Sequence, residues 1–332
     1  MVTEVCLTID IEFSVGGAFT WPDTHRPIGE ESVLCHASGQ ENGLGFLLDV
    51  LSDHGISATF FVESLQSAYF GDAPMGRIIE RILRHGQDVQ LHIHPAWRAF
   101  RKSDWRLRTS GLPPNDFCDG RSLADMRDVI GDGLACLGRV CGTPPIAMRT
   151  GNLHGDRTVY LAMAACGLKV ASNVGAGWWM PDDPTLRLWG GRSRVGGVLE
   201  IPVTTYDQGR KGHPRLLTTA GASLAETKAL LWQAREEAVP TVVVLTHAFD
   251  FLGRNRLRAG GPRANRLVKR RMEKVCAFIA DNPREFAAVS FAQAAPAWLD
   301  APDVRPPSLT VPLVSVLSRI VQNGTNELIL AL

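Results

Sequence analysis

The segment LHIHPAW, residues 91–97, places two histidines one residue apart, directly after an apolar run and before a proline. Alternate side chains of a strand point to the same face, so we predict that His92 and His94 project together, away from Leu91 and Ile93. Two neutral imidazoles on one face can hold a metal ion. A hydrogen-bonded surface histidine next to an unrelated one gives the same pattern, so this segment alone leaves both interpretations open.

Charged side chains also stand where other predicted strands end. The first strand runs into TIDIE, which puts Asp10 and Glu12 on one face. In the segment AMRTGN a strand ends at Arg149, which can orient a carboxylate, and VVVLTHAFD brings His247 to a position for proton transfer. Taken singly, Arg149 could equally form an ion pair at the rim, and His247 could be a hydrogen-bonded histidine at the end of a strand. At one rim of a barrel, two carboxylates and two imidazoles would form a zinc-type ligand set with a position for water.

Predicted strands and helices alternate along the chain, which indicates parallel strands covered by helices. Apolar runs such as ISATFFVE and TVVVLTH are separated by segments with helical periodicity, such as MGRIIERILRHG. The length of 332 residues and the number of units suit a closed barrel. An open doubly wound sheet is the alternative, but no glycine-rich phosphate-binding motif follows the first strand. The predicted fold class is therefore α/β.

Two long connections and a tail interrupt this alternation. Residues 96–121 and 173–197 form insertions of the kind that often carry function. We assign residues 1–298 to the barrel and residues 299–332 to a proline-rich linker with an apolar C-terminal extension. The extension is expected to dock on the barrel or on a partner subunit, so a homo-oligomer formed through it is one prediction.

Composition excludes several classes of protein. Hydrophobic residues make up 45% of the chain and charged residues 21%, which supports a large core and argues against disorder. Lys and Arg number 35 against 34 for Asp and Glu, so binding of nucleic acid over the whole surface is not expected. The seven cysteines lack paired spacing, which favours free thiols in a reducing compartment. The first strand begins next to Met1 and no apolar run could span a membrane, so we expect a cytoplasmic protein.

The motifs LTIDIE, SATFFV, GQDVQLHIHP, MRTGN and VLTHA, in that order, resemble those of the polysaccharide deacetylase superfamily, the NodB homology domain, over about residues 4–298. The resemblance implies a distorted (β/α)7-type barrel and metal-dependent removal of an N-acetyl group. It also implies a set of site residues, matched by position. These are Asp10 as the catalytic base, Arg149 as its brace, His247 as the general acid, and Glu12, His92 and His94 as metal ligands.

The resemblance is accompanied by departures from the family's usual motifs. Asp-Ile-Glu replaces Asp-Asp-Gly, the gap between the histidines is one residue instead of three, and the proline near the arginine is absent. These changes leave open whether Asp10 or Glu12 contacts the metal. The implied cofactor is a divalent cation, Zn²⁺ first and Co²⁺ or Ni²⁺ as alternatives. Such a cation would lower the pKa of a bound water toward about 7.

The predicted substrate is an acetylated sugar or glycan. The segment AWRAFRKSDWRLR, residues 96–108, mixes aromatic and basic side chains that suit sugar rings and anionic groups, and a second basic run covers residues 253–271. An anionic glycan, linked to a phosphate, a nucleotide or a lipid, would contact both segments. The alternative is that both segments are solvated loops without a binding role. The candidate substrate contacts are Trp97, Asn152, Trp178 and Trp179, the last two by loose resemblance to the family's tryptophan wall.

Two further functions compete with deacetylation of a sugar. The same fold could hydrolyse a small non-sugar amide or ureide, although relatives of that kind often lack the full metal triad. A non-catalytic sugar-binding barrel is the other alternative, and the joint presence of Asp10, Arg149 and His247 argues against it. Binding of nucleic acid is not expected beside a catalytic rim.

Overall fold

The computed structural model describes residues 2–109, 113–209, 214–253 and 261–331. Its strands are β1 (Thr3–Ile11), β2 (His36–Ala37), β3 (Gln40–Glu41), β4 (Ala58–Glu63), β5 (Asp88–Ile93), β6 (Ala147–Thr150), β7 (Val170–Ala171), β8 (Ser193–Val195), β9 (Val198–Glu200), β10 (Thr205–Asp207), β11 (Pro214–Leu216), β12 (Thr241–His247), β13 (Phe286–Ala288) and β14 (Leu309–Thr310).

The α-helices are α1 (Glu31–Leu34), α2 (Leu44–Asp53), α3 (Ser67–Phe70), α4 (Ala73–Arg84), α5 (Trp105–Thr109), α6 (Leu123–Cys141), α7 (Arg157–Ala165), α8 (Leu224–Glu236), α9 (Arg266–Asp281), α10 (Phe291–Asp300) and α11 (Leu313–Ala331). Short 3₁₀ helices span Pro95–Arg101, Gly151–Leu153, Pro184–Leu186 and Ala248–Phe251.

Among the described residues, nine strands form one curled sheet in the order β12-β1-β4-β5-β6-β7-β9-β8, with β13 paired to the start of β1. The pairs along this order are parallel except β8 with β9. An irregular segment, residues 201–204, closes the ring. The Val203 N–H donates to the Val174 carbonyl at 2.9 Å, and the Thr204 N–H donates to the Val243 carbonyl in β12 at 3.1 Å. The predicted α/β class and distorted barrel are confirmed.

The central strands are buried on both faces, because side chains fill the barrel inside and helices cover it outside. All six residues of β4, ATFFVE, are buried, which accounts for its unbroken apolar character. Helix α4 covers the sheet with one face that buries Met75, Ile78, Ile79 and Ile82. The seven cysteines are free, and five of them are buried.

Because the paired strands along the barrel are parallel, apart from β8 with β9, their carboxyl ends meet at one rim.

The aromatic residues of the first insertion belong to the core. Trp97 is 2% exposed, and its ring lies 5.3 Å from that of Phe100. Phe100 stacks in turn on Phe19 at 4.8 Å and meets the edge of Trp105. The prediction that Trp97 contacts substrate does not agree with this position, because the ring is enclosed by other aromatic side chains.

Four of the five arginines of residues 96–121 pair with aspartates, and the fifth, Arg106, lies over the Trp105 ring. Arg98 contacts Asp132 at 2.9 Å and Asp125 at 3.1 Å, and Arg101 contacts Asp132 at 2.6 Å. Most of these guanidinium groups therefore already have a carboxylate partner within the protein. Residues 254–260 of the second predicted basic run lie outside the described residues.

The C-terminal extension docks on the barrel. Strand β14 pairs with β10, and helix α11 packs against α8. The Arg319 Nε atom lies 2.8 Å from the Glu226 Oε1 atom, and both side chains are buried. Glu226 also forms the capping box of α8 with Ser223. Helix α10 crosses residue 298, and the division of the chain at this residue stays a prediction.

The outer face of α11 is apolar and faces solvent. Its large side chains that are more than half exposed are Leu313, Val314, Leu317, Ile320, Val321, Leu328 and Ile329. No helix within the described ranges combines the length and the apolar character that crossing a bilayer requires. The predicted homo-oligomer and the predicted cellular compartment both stay predictions.

Replacing Arg319 by Met should destabilise the protein by about 3 kcal/mol, because it leaves the buried Glu226 carboxylate without its partner. The double variant Arg319→Met/Glu226→Gln should recover much of this loss, since the amide keeps the cap without the charge. Denaturant unfolding of the two variants and the parent chain measures both effects. Arg77→Met, which breaks an exposed pair with Glu30, is the matched control and should leave the midpoint unchanged. Equal midpoints for Arg319→Met and the parent would contradict the prediction.

Candidate metal centre and active site

The register of the parallel strands brings the predicted residues together at the rim. Asp10 is paired directly with His247 across β1 and β12, and His92 is paired with Arg149 across β5 and β6. Glu12 follows one residue after the end of β1 and shares the face of Asp10. Residues far apart in the chain are thus neighbours, as the parallel topology requires.

Glu12, His92 and His94 form a cluster that could hold a metal ion, with all three ligand atoms within 4.8 Å of one another. The Glu12 Oε2 atom lies 2.9 Å from the His94 Nε2 atom and 3.6 Å from the His92 Nε2 atom. Asp10 is not part of this cluster, because its carboxylate is turned toward Arg149. The geometry therefore favours Glu12 over Asp10 as the acidic ligand.

The second nitrogen of each imidazole has its own partner. His92 Nδ1 lies 3.0 Å from the backbone carbonyl of Arg149, and His94 Nδ1 lies 2.6 Å from the Asp116 Oδ2 atom. When Nδ1 donates to such an oxygen, Nε2 keeps the lone pair that a metal needs. Asp116 is a residue that the sequence reasoning missed. It lies in the first insertion, where no spacing or motif separates it from its acidic neighbours.

Charges within the cluster favour a cation at its centre. Burial raises the pKa of Glu12, but the neighbouring His94 and His92 outweigh it and hold that pKa well below its usual value. Burial lowers the pKa of His94, but Asp116 and Glu12 outweigh it and hold that pKa well above its usual value. Two carboxylates that stabilise a proton on His94 also stabilise a divalent cation between the same groups. Two nitrogens and one oxygen suit the ligand set of such an ion.

Two further groups fix the position of His94. The carboxylate of Glu63, at the end of β4, accepts hydrogen bonds from the backbone N–H groups of His94 and Leu65. Burial raises the pKa of Glu63 to about 8, against the effect of nearby His94. At Gly151, a Cβ atom would lie 2.5 Å from the His94 ring, so only glycine allows the imidazole to approach this closely.

Arg149 holds Asp10 in the interior of the barrel. The Arg149 Nη1 atom lies 2.6 Å from the Asp10 Oδ1 atom, and the two side chains are 0% and 5% exposed. The guanidinium also donates to Thr8 Oγ1 at 3.0 Å and to Ser172 Oγ at 2.9 Å, and it lies over the Phe61 ring. This charge-assisted bond fixes the orientation of the Asp10 carboxylate and leaves its Oδ2 atom free of the guanidinium.

His247 lies on the other side of Asp10. Its Nε2 atom is 3.8 Å from the Asp10 Oδ2 atom, and its Nδ1 atom is 3.6 Å from the Asp250 Oδ2 atom. Asp250 also accepts the His247 N–H at 3.0 Å, and the Phe249 ring stacks on the imidazole. Burial opposes a charge on the ring, but Asp250 and Asp10 outweigh it and raise the pKa of His247 to about 9. The imidazole is therefore held as a proton donor at neutral pH.

These groups open into one cavity of about 710 Å³. Of the predicted substrate contacts, Asn152 and the largely exposed Trp178 line it, while Trp97 does not. Trp179 stacks on His154 at 4.2 Å beside the cavity lining. The C-terminal helix α11 contributes the lining residues Asn323, Asn326, Glu327 and Leu330. No motif of the tail predicted that it forms part of this wall.

Comparison with known structures identifies the class of fold. A Mycobacterium smegmatis protein provisionally described as a polysaccharide deacetylase aligns over 94% of both chains, with a TM-score of 0.50 and 18% identity. A CE4 family pseudoenzyme from Bacillus anthracis aligns over 94% of this chain and 70% of its own, at 11% identity and a TM-score of 0.44. The peptidoglycan deacetylase PdaC from Bacillus subtilis aligns over 89% and 91%, at 11% identity and a TM-score of 0.42.

No protein-family model matches the sequence, and no curated protein matches it either. The similarity to the Mycobacterium smegmatis protein, at 18% identity, shows that the two chains share a fold. The chain thus has the fold of a protein described as a polysaccharide deacetylase, at low sequence identity.

Replacing Asp116 by Ala should weaken Zn²⁺ binding about 10- to 100-fold, because His94 then loses the partner that orients its ring. Competition with a chromophoric chelator measures this affinity. Asp119→Ala is the matched control, since Asp119 lies in the same loop but pairs with His154 at 3.2 Å. An Asp116→Ala variant that binds the metal as tightly as Asp119→Ala would contradict the assigned orientation.

Proposed function

We propose that this protein is a metal-dependent hydrolase that removes the N-acetyl group from an amino sugar or glycan. The observation that carries the proposal is the convergence of two units at one rim. One is the Glu12, His92 and His94 cluster, and the other is the Asp10 carboxylate held between Arg149 and His247. Both units line one cavity, which is large enough for a saccharide.

Glu12, His92 and His94 would hold the cation, with Zn²⁺ as the first choice and Co²⁺ or Ni²⁺ as alternatives. When bound, the cation supplies Lewis acidity and lowers the pKa of water at this site. Asp10 accepts the proton of the attacking water through its Oδ2 atom, because Oδ1 is engaged by Arg149. Arg149 holds the Asp10 carboxylate in place for that transfer.

His247 donates a proton to the departing nitrogen. An amine leaves poorly without protonation, and the raised pKa of His247, about 9, keeps the imidazole charged before the step. Asp250 holds the ring by its Nδ1 side, so Nε2 is the atom that faces the reacting groups. The proposed acid and base are therefore neighbours across β12 and β1.

The substrate class rests on the fold and on the cavity wall. The Mycobacterium smegmatis protein of the same fold is described as a polysaccharide deacetylase, and Trp178 offers an exposed indole face of the kind that packs on sugar rings. A non-catalytic sugar-binding barrel is not favoured, because it has no need of a buried Arg149 and Asp10 pair beside His247. A small non-sugar amide would leave much of the cavity empty.

Removal of the metal should abolish the release of acetate from acetylated sugars. Chelation followed by dialysis, and then addition of Zn²⁺, should first eliminate and then restore turnover of a panel of N-acetylated mono- and oligosaccharides. His94→Ala should lose activity to the same extent as the chelated protein. The surface variant His36→Ala should keep the activity of the parent, because the His36 side chain pairs with Glu31 at the surface. Full activity in metal-free protein would exclude the proposed function.

Replacing His247 by Ala should lower amide deacetylation about 10²- to 10⁴-fold, the contribution expected of a general acid. Hydrolysis of an O-acetyl ester of the same sugar should fall much less, because an alkoxide departs without a proton far more easily than an amide anion does. The ratio of kcat/KM for the two substrates, at equal metal content, measures the effect. A variant that loses both activities equally would assign His247 a different role.

A further inference from the structure

One part of the cavity wall has no role in the proposed reaction. It is formed by β11, by the turn at residues 218–221 and by helix α11. Here Arg215, Gly221 and Asn323 line the same cavity as the candidate metal centre. Two more arginines, Arg271 and Arg319, lie behind these residues and are 3% and 6% exposed.

Positive charge exceeds negative charge in this part of the wall. Arg319 pairs with Glu226 at 2.8 Å, but within the described part of the chain neither Arg215 nor Arg271 has a carboxylate within 4.0 Å. The Nε atoms of Arg215 and Arg271 are buried and lack a hydrogen-bond partner among the described residues. Buried charge without a counter-charge is costly, so a bound anion would stabilise this arrangement.

Arg215 and Asn323 offer hydrogen-bond donors to the cavity, whereas the Glu327 carboxylate on α11, which also lines it, accepts. The Asn323 Oδ1 atom is already occupied by Arg271 Nη2 at 2.7 Å, which leaves its Nδ2 group to donate. Arg215 makes a long hydrogen bond to the Gly221 carbonyl, at 3.4 Å, and its side chain also interacts with Tyr206, its partner in the pairing of β10 and β11. Guanidinium and amide donors without acceptors select groups that only accept, such as phosphate and carboxylate.

The basic side chains of residues 96–108 were predicted to bind an anionic glycan, but none of these residues lines the cavity. Arg98 and Arg101 pair with aspartates instead. Glu327, one turn beyond Asn323 on α11, lines the same cavity but forms no ion pair with Arg215 or Arg271 among the described residues. Arg215 is therefore the arginine of the described lining that is available to a ligand.

We propose that Arg215 and Asn323 bind an anionic group, a phosphate or a carboxylate, that the substrate carries in addition to its acetamide. This inference rests on the proposed function, because the anion site and the metal centre share one cavity. It narrows the substrate class from acetylated saccharides in general to those with a negative charge. Helix α11 thereby becomes a specificity element of the site.

The test compares acetate release from N-acetylglucosamine, its 6-phosphate, its 1-phosphate and N-acetylmuramic acid, which separates phosphate from carboxylate. At least one charged compound should have a kcat/KM about tenfold to a hundredfold above that of the neutral sugar, the range for one hydrogen bond to a charged group. In Arg215→Gln this ratio should fall toward one, and Arg215→Lys should retain part of it. Arg77→Gln, which removes one exposed positive charge elsewhere, should keep the parent ratio.

A second measurement separates this inference from the proposed function. Calorimetric binding of glucosamine 6-phosphate and of glucosamine requires no turnover and should show a preference that depends on Arg215 and is weakened in Asn323→Leu. If acetylated sugars are hydrolysed but the charge preference is absent or survives in Arg215→Gln, the inference is wrong and the function stands. If no sugar is hydrolysed but Arg215-dependent binding of the phosphate is observed, the function is wrong and the anion site stands.

Discussion

The buried ion pair between Arg149 and Asp10 is the interaction on which the geometry of this site depends. Strands β6 and β1 are separated by β4 and β5 in the sheet order, which in a flat sheet corresponds to about 14 Å. The observed 2.6 Å between the two side chains is possible only because the sheet curls and both residues point inward. The pair therefore requires the curled sheet, and either charge alone would be strongly unfavourable there.

This pair also explains how two carboxylates two residues apart come to differ. Asp10 and Glu12 leave the same strand on the same face, yet Asp10 contacts a guanidinium and Glu12 contacts two imidazoles. A guanidinium keeps its proton at every accessible pH, so it remains a permanent positive partner for Asp10. Imidazoles can give up a proton and can coordinate a cation together with a carboxylate. The surroundings, and not the residue type, therefore distinguish the two carboxylates.

The segments outside the regular β/α units have functions that their composition does not reveal. The first insertion has the aromatic and basic mixture typical of a binding surface, but its Trp97, Phe100 and Trp105 rings belong to the core and most of its arginines pair with aspartates. Its contribution to the site is instead Asp116, which orients His94. The C-terminal extension has an apolar pattern without chemical motifs, but its inner face completes the cavity beside Arg215.

The alternation of apolar runs with periodic segments was enough to predict the α/β class and the barrel, because both patterns depend on local propensity and on which face is buried. The residue types at strand ends likewise predicted the cluster of Glu12, His92 and His94, since parallel strands bring their carboxyl ends to one rim. The choice between Asp10 and Glu12, the participation of Asp116 and Glu63, the burial of Trp97 and the role of α11 were decided only by the tertiary structure. These features depend on contacts between segments distant in sequence, and such contacts are set by packing and by the pairing of buried charges, which leave no periodic signal in the chain.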